Sequence, residues 1–260
     1  MLSFFKKKKV IVTQKEHPIK ETENFTDITL VAEYFKNETG ITFLNQMDIL
    51  KNKVSGFCRH REIYSFTRLI QIIKSDTILK QELIDYLTTN ETYFYREFKQ
   101  ITDLTTFVKK ENSSVKILCA PCATGEEPYS IAIALLEAGV PANSFQIVGI
   151  DINSDALQRS AHASYGERNI RNLSPAIINK YFSQDNSKYL LKNSVKSLVT
   201  FKLVNIFDDS FKNLGKFDFI FSRNMLIYFD KETTLKAKAI LEKMRKNEKY
   251  NVFFGHADLF

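Results

Sequence analysis

The sequence predicts an α/β protein in which an open, parallel sheet flanked by helices follows a small helical domain. Three observations carry that prediction. Residues up to about 90 show helical spacing without strand-like runs, whereas from about Thr105 short apolar runs alternate with helical patterns. The first of those runs leads into a turn of small residues that opens a helix.

Residues 1–25 are polar and lysine-rich without periodicity, which reads as a disordered extension. A helical domain is expected over 26–90. Its first helix has Ile28, Val31 and Phe35 at helical spacing, Asp27 as N-cap and Gly40 as stop. A second helix covers Gln46 to Arg61, a third begins near Ser65, and a fourth runs from about Thr77 into Leu87. The remaining 91–260 form the second domain. Strands are expected at Val115–Ala120, Phe145–Ile150, Thr200–Val204, Phe217–Ser222 and Asn251–Gly255. Helices fall at about Glu127–Ala138, Ser154–Ser164 and Lys231–Lys246. Ser174-Pro175 starts a further helix, with proline at its first position, inside an insertion at about 166–200.

A chain of 260 residues with 44% hydrophobic side chains can bury a full core. No run of about 18 apolar residues occurs, and nothing after the lysine run near Met1 has signal-peptide length, so no membrane insertion is expected. Three unevenly spaced cysteines exclude a disulfide framework and suggest a reduced, cytoplasmic setting. Cys119 and Cys122 form a CxxC, but with no second pair and no nearby histidine a zinc site lacks ligands, and no metal is expected. The net charge of +7 favours an acidic partner without naming one.

In an open parallel sheet ligands bind beyond the carboxyl ends of the strands. The first such loop reads Cys119-Ala-Pro-Cys-Ala-Thr-Gly-Glu-Glu-Pro-Tyr-Ser130. Its small residues admit a ligand to the backbone, and Glu126 or Glu127 suits an ammonium group while repelling phosphate. The loop has neither the Lys-Ser/Thr of an ATP site nor the GxGxxG of a dinucleotide site. Asp151, after the second strand, stands where a carboxylate accepts from both ribose hydroxyls, although an aspartate after a strand commonly caps the next helix instead. Asn205-Ile206 offers an adenine one amide and one apolar face, and Ser222 to Phe229 brings polar groups to the same edge. An amino acid, a ribose and an adenine together describe S-adenosylmethionine (SAM), with S-adenosylhomocysteine as product.

Four segments then resemble a known family, the chemotaxis receptor methyltransferases of the CheR type: Thr88-Thr-Asn-Glu-Thr-Tyr-Phe-Tyr-Arg-Glu97, Thr124-Gly-Glu-Glu-Pro-Tyr-Ser130, Ser222-Arg-Asn-Met-Leu-Ile-Tyr-Phe229 and Gly255-His-Ala-Asp258. The resemblance extends from about Asp27. It implies a Rossmann-like SAM-dependent methyltransferase sheet with an N-terminal helical domain and a small β-subdomain insertion. It implies that Asn90, Thr92, Arg96, Glu127, Asp151, Asn205, Ile206, Arg223 and Asn224 line the SAM site, and that Arg96 and Tyr228 flank the transferred methyl. The implied reaction esterifies glutamate side chains on the cytoplasmic helices of chemoreceptors, with the enzyme a monomer and no nucleic acid as partner. The chemistry is coherent: a glutamate with a reference pKa of about 4.3 is already ionised at neutral pH, so it needs orientation and dryness rather than a general base. Arg96 suits a carboxylate, of SAM or of substrate, and the Tyr228 hydroxyl suits either as well.

Three departures from the family pattern stand out. Pro121-Cys122 occupies a position where relatives often carry small residues, and proline removes a donor. The chain stops at Phe260, so a truncated or shorter sheet edge is expected. Ser183–Leu198 looks short for the β-subdomain on which some relatives dock a receptor's C-terminal peptide. Lys51, Lys53, Arg59, Arg61 and Arg68 offer a basic face for acidic receptor helices, or simply a solvated one. The alternatives are another SAM-dependent methyltransferase, acting on another protein or on nucleic acid, and a non-catalytic SAM-binding module. The Asn/Asp-Pro-Pro-Tyr string of amino-directed DNA enzymes is replaced by Arg223-Asn-Met-Leu226, and Arg96 and Tyr228, dispensable to a mere binding module, are both present.

Overall fold

The computed structural model describes residues 22–111 and 113–258. Most of the expected disordered extension lies outside the described residues. Its last residues are packed: the Asn24 N–H donates to the Tyr64 carbonyl (2.7 Å), and the Phe25 ring meets Phe66.

The helical domain contains α1 (Thr29–Thr39), α2 (Met47–Arg59), α3 (Phe66–Ile73) and α4 (Thr77–Leu87). Val31, Phe35, Leu50, Val54, Phe57, Leu69, Ile73 and Leu83 recur at helical spacing and close a core of their own. Ser65 and Asp76 cap α3 and α4 through side-chain oxygens, and Gly40 ends α1 at a φ of 78°. Asp27 acts one place further out than expected: its carboxylate accepts from Thr29, and Ile28 is the residue before the helix.

The second domain begins with α5 (Phe98–Val108), a helix outside those expected from the sequence, and continues through β1 (Val115–Cys119), α6 (Glu126–Glu137), β2 (Phe145–Asp151) and α7 (Ser154–His162). Next come β3 (Ser164–Tyr165), α8 (Glu167–Ile170), α9 (Pro175–Tyr181), β4 (Phe182–Asp185), β5 (Lys188–Leu191) and α10 (Asn193–Lys196). The chain closes with β6 (Val199–Leu203), α11 (Asp209–Lys212), β7 (Phe219–Ser222), α12 (Lys231–Lys243) and β8 (Phe253–Phe254). The main sheet is parallel throughout, in the order β6-β2-β1-β7-β8. Side chains alternate between its faces: Ile117, Ile147, Phe219 and Phe221 join one core with α5 and α6, and Leu118, Val148 and Ile220 join another with α12. Strands leave β1 in both directions, so the chain reverses at β1 and opens a crevice at the carboxyl ends of β1 and β7.

The insertion, for all its shortness, makes a three-stranded antiparallel sheet in the order β3-β5-β4. The stretch from Ser183 to Leu198 supplies most of two strands because a tight turn with Asn186 in the left-handed region joins them.

Candidate functional site

A cavity of about 880 Å³ occupies the crevice. One wall is the row of loops after β1, β2, β6 and β7; the other is built from the α1–α2 connection, the start of α2, and the segment from Leu87 to Arg96. Each of the expected site residues lines it: Asn90, Thr92 and Arg96 from the second wall, and Glu127, Asp151, Asn205, Ile206, Arg223, Asn224 and Tyr228 from the first.

The first loop is closed by its own backbone. The Ala120–Pro121 bond is cis, Cys122 N–H donates to the Ile150 carbonyl (2.8 Å), and Ala123 N–H donates to Asp151 (2.8 Å), so the donor that Pro121 lacks is not one the loop uses. Gly125 has a φ of 92°, and a Cβ there would lie 2.8 Å from the Cβ of Ser160. The CxxC cysteines are buried, and burial pushes both thiols up from their ordinary range.

The two glutamates that open α6 have separate fates. Glu126 is fully buried and accepts from the Thr124 hydroxyl (2.6 Å) and from Asn169 Nδ2 (2.6 Å), so it ties the loop to α8 instead of facing the cavity. Burial raises its carboxyl pKa. Glu127 lines the cavity and pairs through Oε2 with Arg223 Nε, while its other oxygen, Oε1, is buried with no hydrogen-bond partner among the described residues. An orphaned, buried carboxylate oxygen is costly, and an ammonium donor satisfies it. The amino acid half of SAM therefore fits at Glu127.

Asp151 is 5% exposed, and its carboxylate is already engaged by two backbone donors. Its Oδ1 accepts from Asn153 N–H (2.9 Å), a turn at the start of α7, and its Oδ2 accepts from Ala123 N–H (2.8 Å). Burial raises its pKa against those backbone bonds. A carboxylate has about four acceptor sites, so two remain for ribose hydroxyls. Asn205 is more committed than expected. Its Nδ2 donates to the Glu38 carbonyl (2.7 Å) and its Oδ1 accepts from Phe207 N–H (3.0 Å), leaving one side-chain N–H for a ligand. Ile206 beside it is buried and apolar.

After β7, Arg223 is 5% exposed and holds Glu127 on one side and the carbonyl of Arg96 (2.8 Å) on the other. It joins the two walls. Asn224 takes a φ of 59°. That conformation is held by Asp258, whose Oδ2 accepts from Asn224 N–H and Gly255 N–H and whose Oδ1 accepts from Leu226 N–H (2.9 Å). Nothing in the sequence around Asp258 points to this positioning role. Ser130 is a second such residue, accepting from Tyr95 N–H (3.0 Å) and fastening the Arg96 segment to α6. Tyr228 is 38% exposed, so it does not pack into the core, and burial of its ring raises its pKa against the pull of Arg96. Among the described residues no group of three or more His, Cys, Asp and Glu is arranged to hold a metal.

Residues 90–260 match the family model described as "CheR methyltransferase, SAM binding domain". A chemotaxis protein methyltransferase of Campylobacter jejuni is 36% identical over 224 residues, covering 85% of this chain and 84% of that protein. One of Borreliella burgdorferi is 32% identical over 85% of this chain and 84% of its own length, and chemotaxis protein methyltransferase 2 of Vibrio cholerae is 31% identical over 90% and 85%. The loops after β1, β2, β6 and β7 all lie within the matched residues, and this chain belongs to the CheR methyltransferase family and is a SAM-dependent methyltransferase.

Proposed function

We propose that this enzyme transfers the methyl group of SAM to glutamate side chains of chemoreceptors, giving glutamate methyl esters and S-adenosylhomocysteine. The observation that carries the reading is Arg96. It lines the cavity, it meets no carboxylate at ion-pair distance among the described residues, and its one side-chain hydrogen bond there goes to the Glu91 carbonyl (3.2 Å). A guanidinium with open donors beside a methyl-donor site calls for an anionic acceptor.

In this reading Glu127 receives the SAM ammonium, Asp151 the ribose hydroxyls, and Asn205 with Ile206 the adenine. Asn90, Thr92 and Asn224 complete the lining, and Arg223 acts by holding Glu127 in place. Bound SAM supplies an electrophilic methyl. Arg96 and Tyr228 would flank it and would orient the oxygen of a glutamate side chain toward it. Because that carboxylate is already ionised at neutral pH, no residue of the chain would need to take up a proton. The relatives' names place them in chemotaxis, and no described helix is long and apolar enough to cross a membrane. The cytoplasmic, acidic helices of receptors are therefore the proposed substrate and the cytoplasm the compartment.

Incubation with methyl-labelled SAM and either a receptor cytoplasmic fragment or nucleic acid tests the reading. Base-labile label on the receptor fragment is expected. Base-stable label on nucleic acid overturns it.

A further inference from the structure

Beside the acceptor position two arginines share one aromatic ring. The Arg171 guanidinium lies 3.6 Å from the centroid of the Tyr93 ring, and that of Arg96 lies 5.8 Å from the same centroid. Tyr93 lines the cavity, whereas Arg171 stands just outside it on the exposed turn after α8. Arg171 donates Nη1 to the Arg168 carbonyl (2.5 Å), and among the described residues neither Arg96, Arg168 nor Arg171 forms an ion pair. Glu91 meets Arg96 through its main-chain carbonyl only.

The arrangement is held rigidly. Phe94 N–H donates to the Asn169 carbonyl (2.8 Å), and the buried Phe94 ring meets Tyr165 and Phe182 edge-on. Asn169 is anchored in turn to Glu126. The buried glutamate at the mouth of α6 thus fixes the turn that carries Arg171 relative to the segment that carries Tyr93 and Arg96. Two like charges kept close without a counter-ion repel, and an anion between them relieves the repulsion.

We propose that Arg171, stacked on Tyr93, is a specificity-determining residue that binds a second carboxylate of the substrate, one helical turn from the glutamate being methylated. The proposal rests on the glutamate reading above. The two guanidinium carbons are less than about 10 Å apart by their distances to the common ring. On a helix, side chains three or four residues apart have Cβ atoms about 5–6 Å from each other, so two long acidic side chains on one face reach both cations. A helix presenting a single glutamate leaves Arg171 idle.

The test measures initial rates on a receptor cytoplasmic fragment and on a version in which the acidic residue one turn from the methylated glutamate is changed to glutamine. Arg171→Ala is expected to raise KM about fivefold, with kcat and SAM affinity unchanged. The substrate change is expected to raise KM similarly, and the combination to add nothing further. Arg171→Lys recovers part of the loss, because it keeps the charge but not the planar stack. An unchanged KM in Arg171→Ala, or losses that simply multiply, overturns the subsite while leaving glutamate methylation standing. Absence of base-labile label with the unaltered enzyme overturns the glutamate reading and this subsite with it. SAM affinity, measured by titration calorimetry, reports that each variant is folded.

Discussion

The two walls of the cavity are built on opposite plans. Along the sheet edge nearly every polar group is tied down in advance: Asp151 to Ala123 and Asn153, Glu127 to Arg223, and the loop after β7 to Asp258. Across the cavity, Arg96 and Tyr93 are only partly buried, and Arg96 keeps most of its donors uncommitted. The first wall suits a ligand of constant shape that returns every turnover. The second suits a macromolecule that brings its own charge. What differs is where the cost of ordering is met, in folding along the sheet edge and in ligand binding across the cavity.

Several substitutions sharpen that contrast, taken from the largest expected effect to the smallest. Glu127→Gln leaves Arg223 buried beside a neutral partner, 5% exposed. A stability loss of about 3 kcal/mol in urea unfolding is expected, together with a marked fall in SAM affinity by calorimetry. Glu126→Gln, one residue away, is expected to cost about 1 kcal/mol and to leave SAM affinity nearly intact, since its partners are Thr124 and Asn169. Equal SAM defects in both variants break the distinction between the two glutamates.

On the other wall, Arg96→Ala is expected to lower turnover about 100-fold while SAM affinity changes little, because the main-chain carbonyl that holds Arg223 remains. Unchanged turnover removes Arg96 from the mechanism. Asp258→Asn replaces one of two accepting oxygens by a donor that faces N–H groups, and a fall in turnover of about tenfold follows from a displaced Asn224 loop.

The smallest effect is a pH dependence at the Lys36–Asp230 pair between the domains (2.6 Å). The Lys36 ammonium, helped by Thr233 N–H, pulls the Asp230 carboxyl down from its ordinary value to about 2. A depressed carboxylate contributes stability that is present above the unfolded pKa of about 4 and is lost as pH falls from there toward 2. Asp230→Asn should therefore lower the unfolding midpoint slightly at pH 6 and by less at pH 2, an effect kept small by solvent around both side chains.

The strand-end loops were legible in the sequence because each joins a short apolar run to a residue type with few roles there, such as Asp151 after β2. The helical domain was legible from its spacing. What escaped depends on partners far away in the chain. Glu126 and Glu127 are equivalent in sequence and are told apart by Asn169 and Arg223, 43 and 96 residues distant. The helix α5 has Ile101, Leu104 and Val108 at helical spacing, but it follows without a break from the Tyr93–Glu97 segment, where Tyr95 and Glu97 both take left-handed φ values, and no capping residue marks its start. That Asn205 also fastens the carbonyl of Glu38 cannot be seen from position 205.

Three of the hydrogen bonds between the domains share one trait. Thr42 N–H donates to the Tyr228 carbonyl (2.9 Å), Asn205 Nδ2 to the Glu38 carbonyl, and Gln81 Nε2 to the Ile152 carbonyl (2.8 Å), so each has a main-chain acceptor. The side chains at 38, 152 and 228 are thus released from holding the halves together. Tyr228 in particular can lose its hydroxyl, as in Tyr228→Phe, without loosening the seam that its carbonyl forms, which makes this tyrosine an unusually clean handle for separating chemistry from architecture.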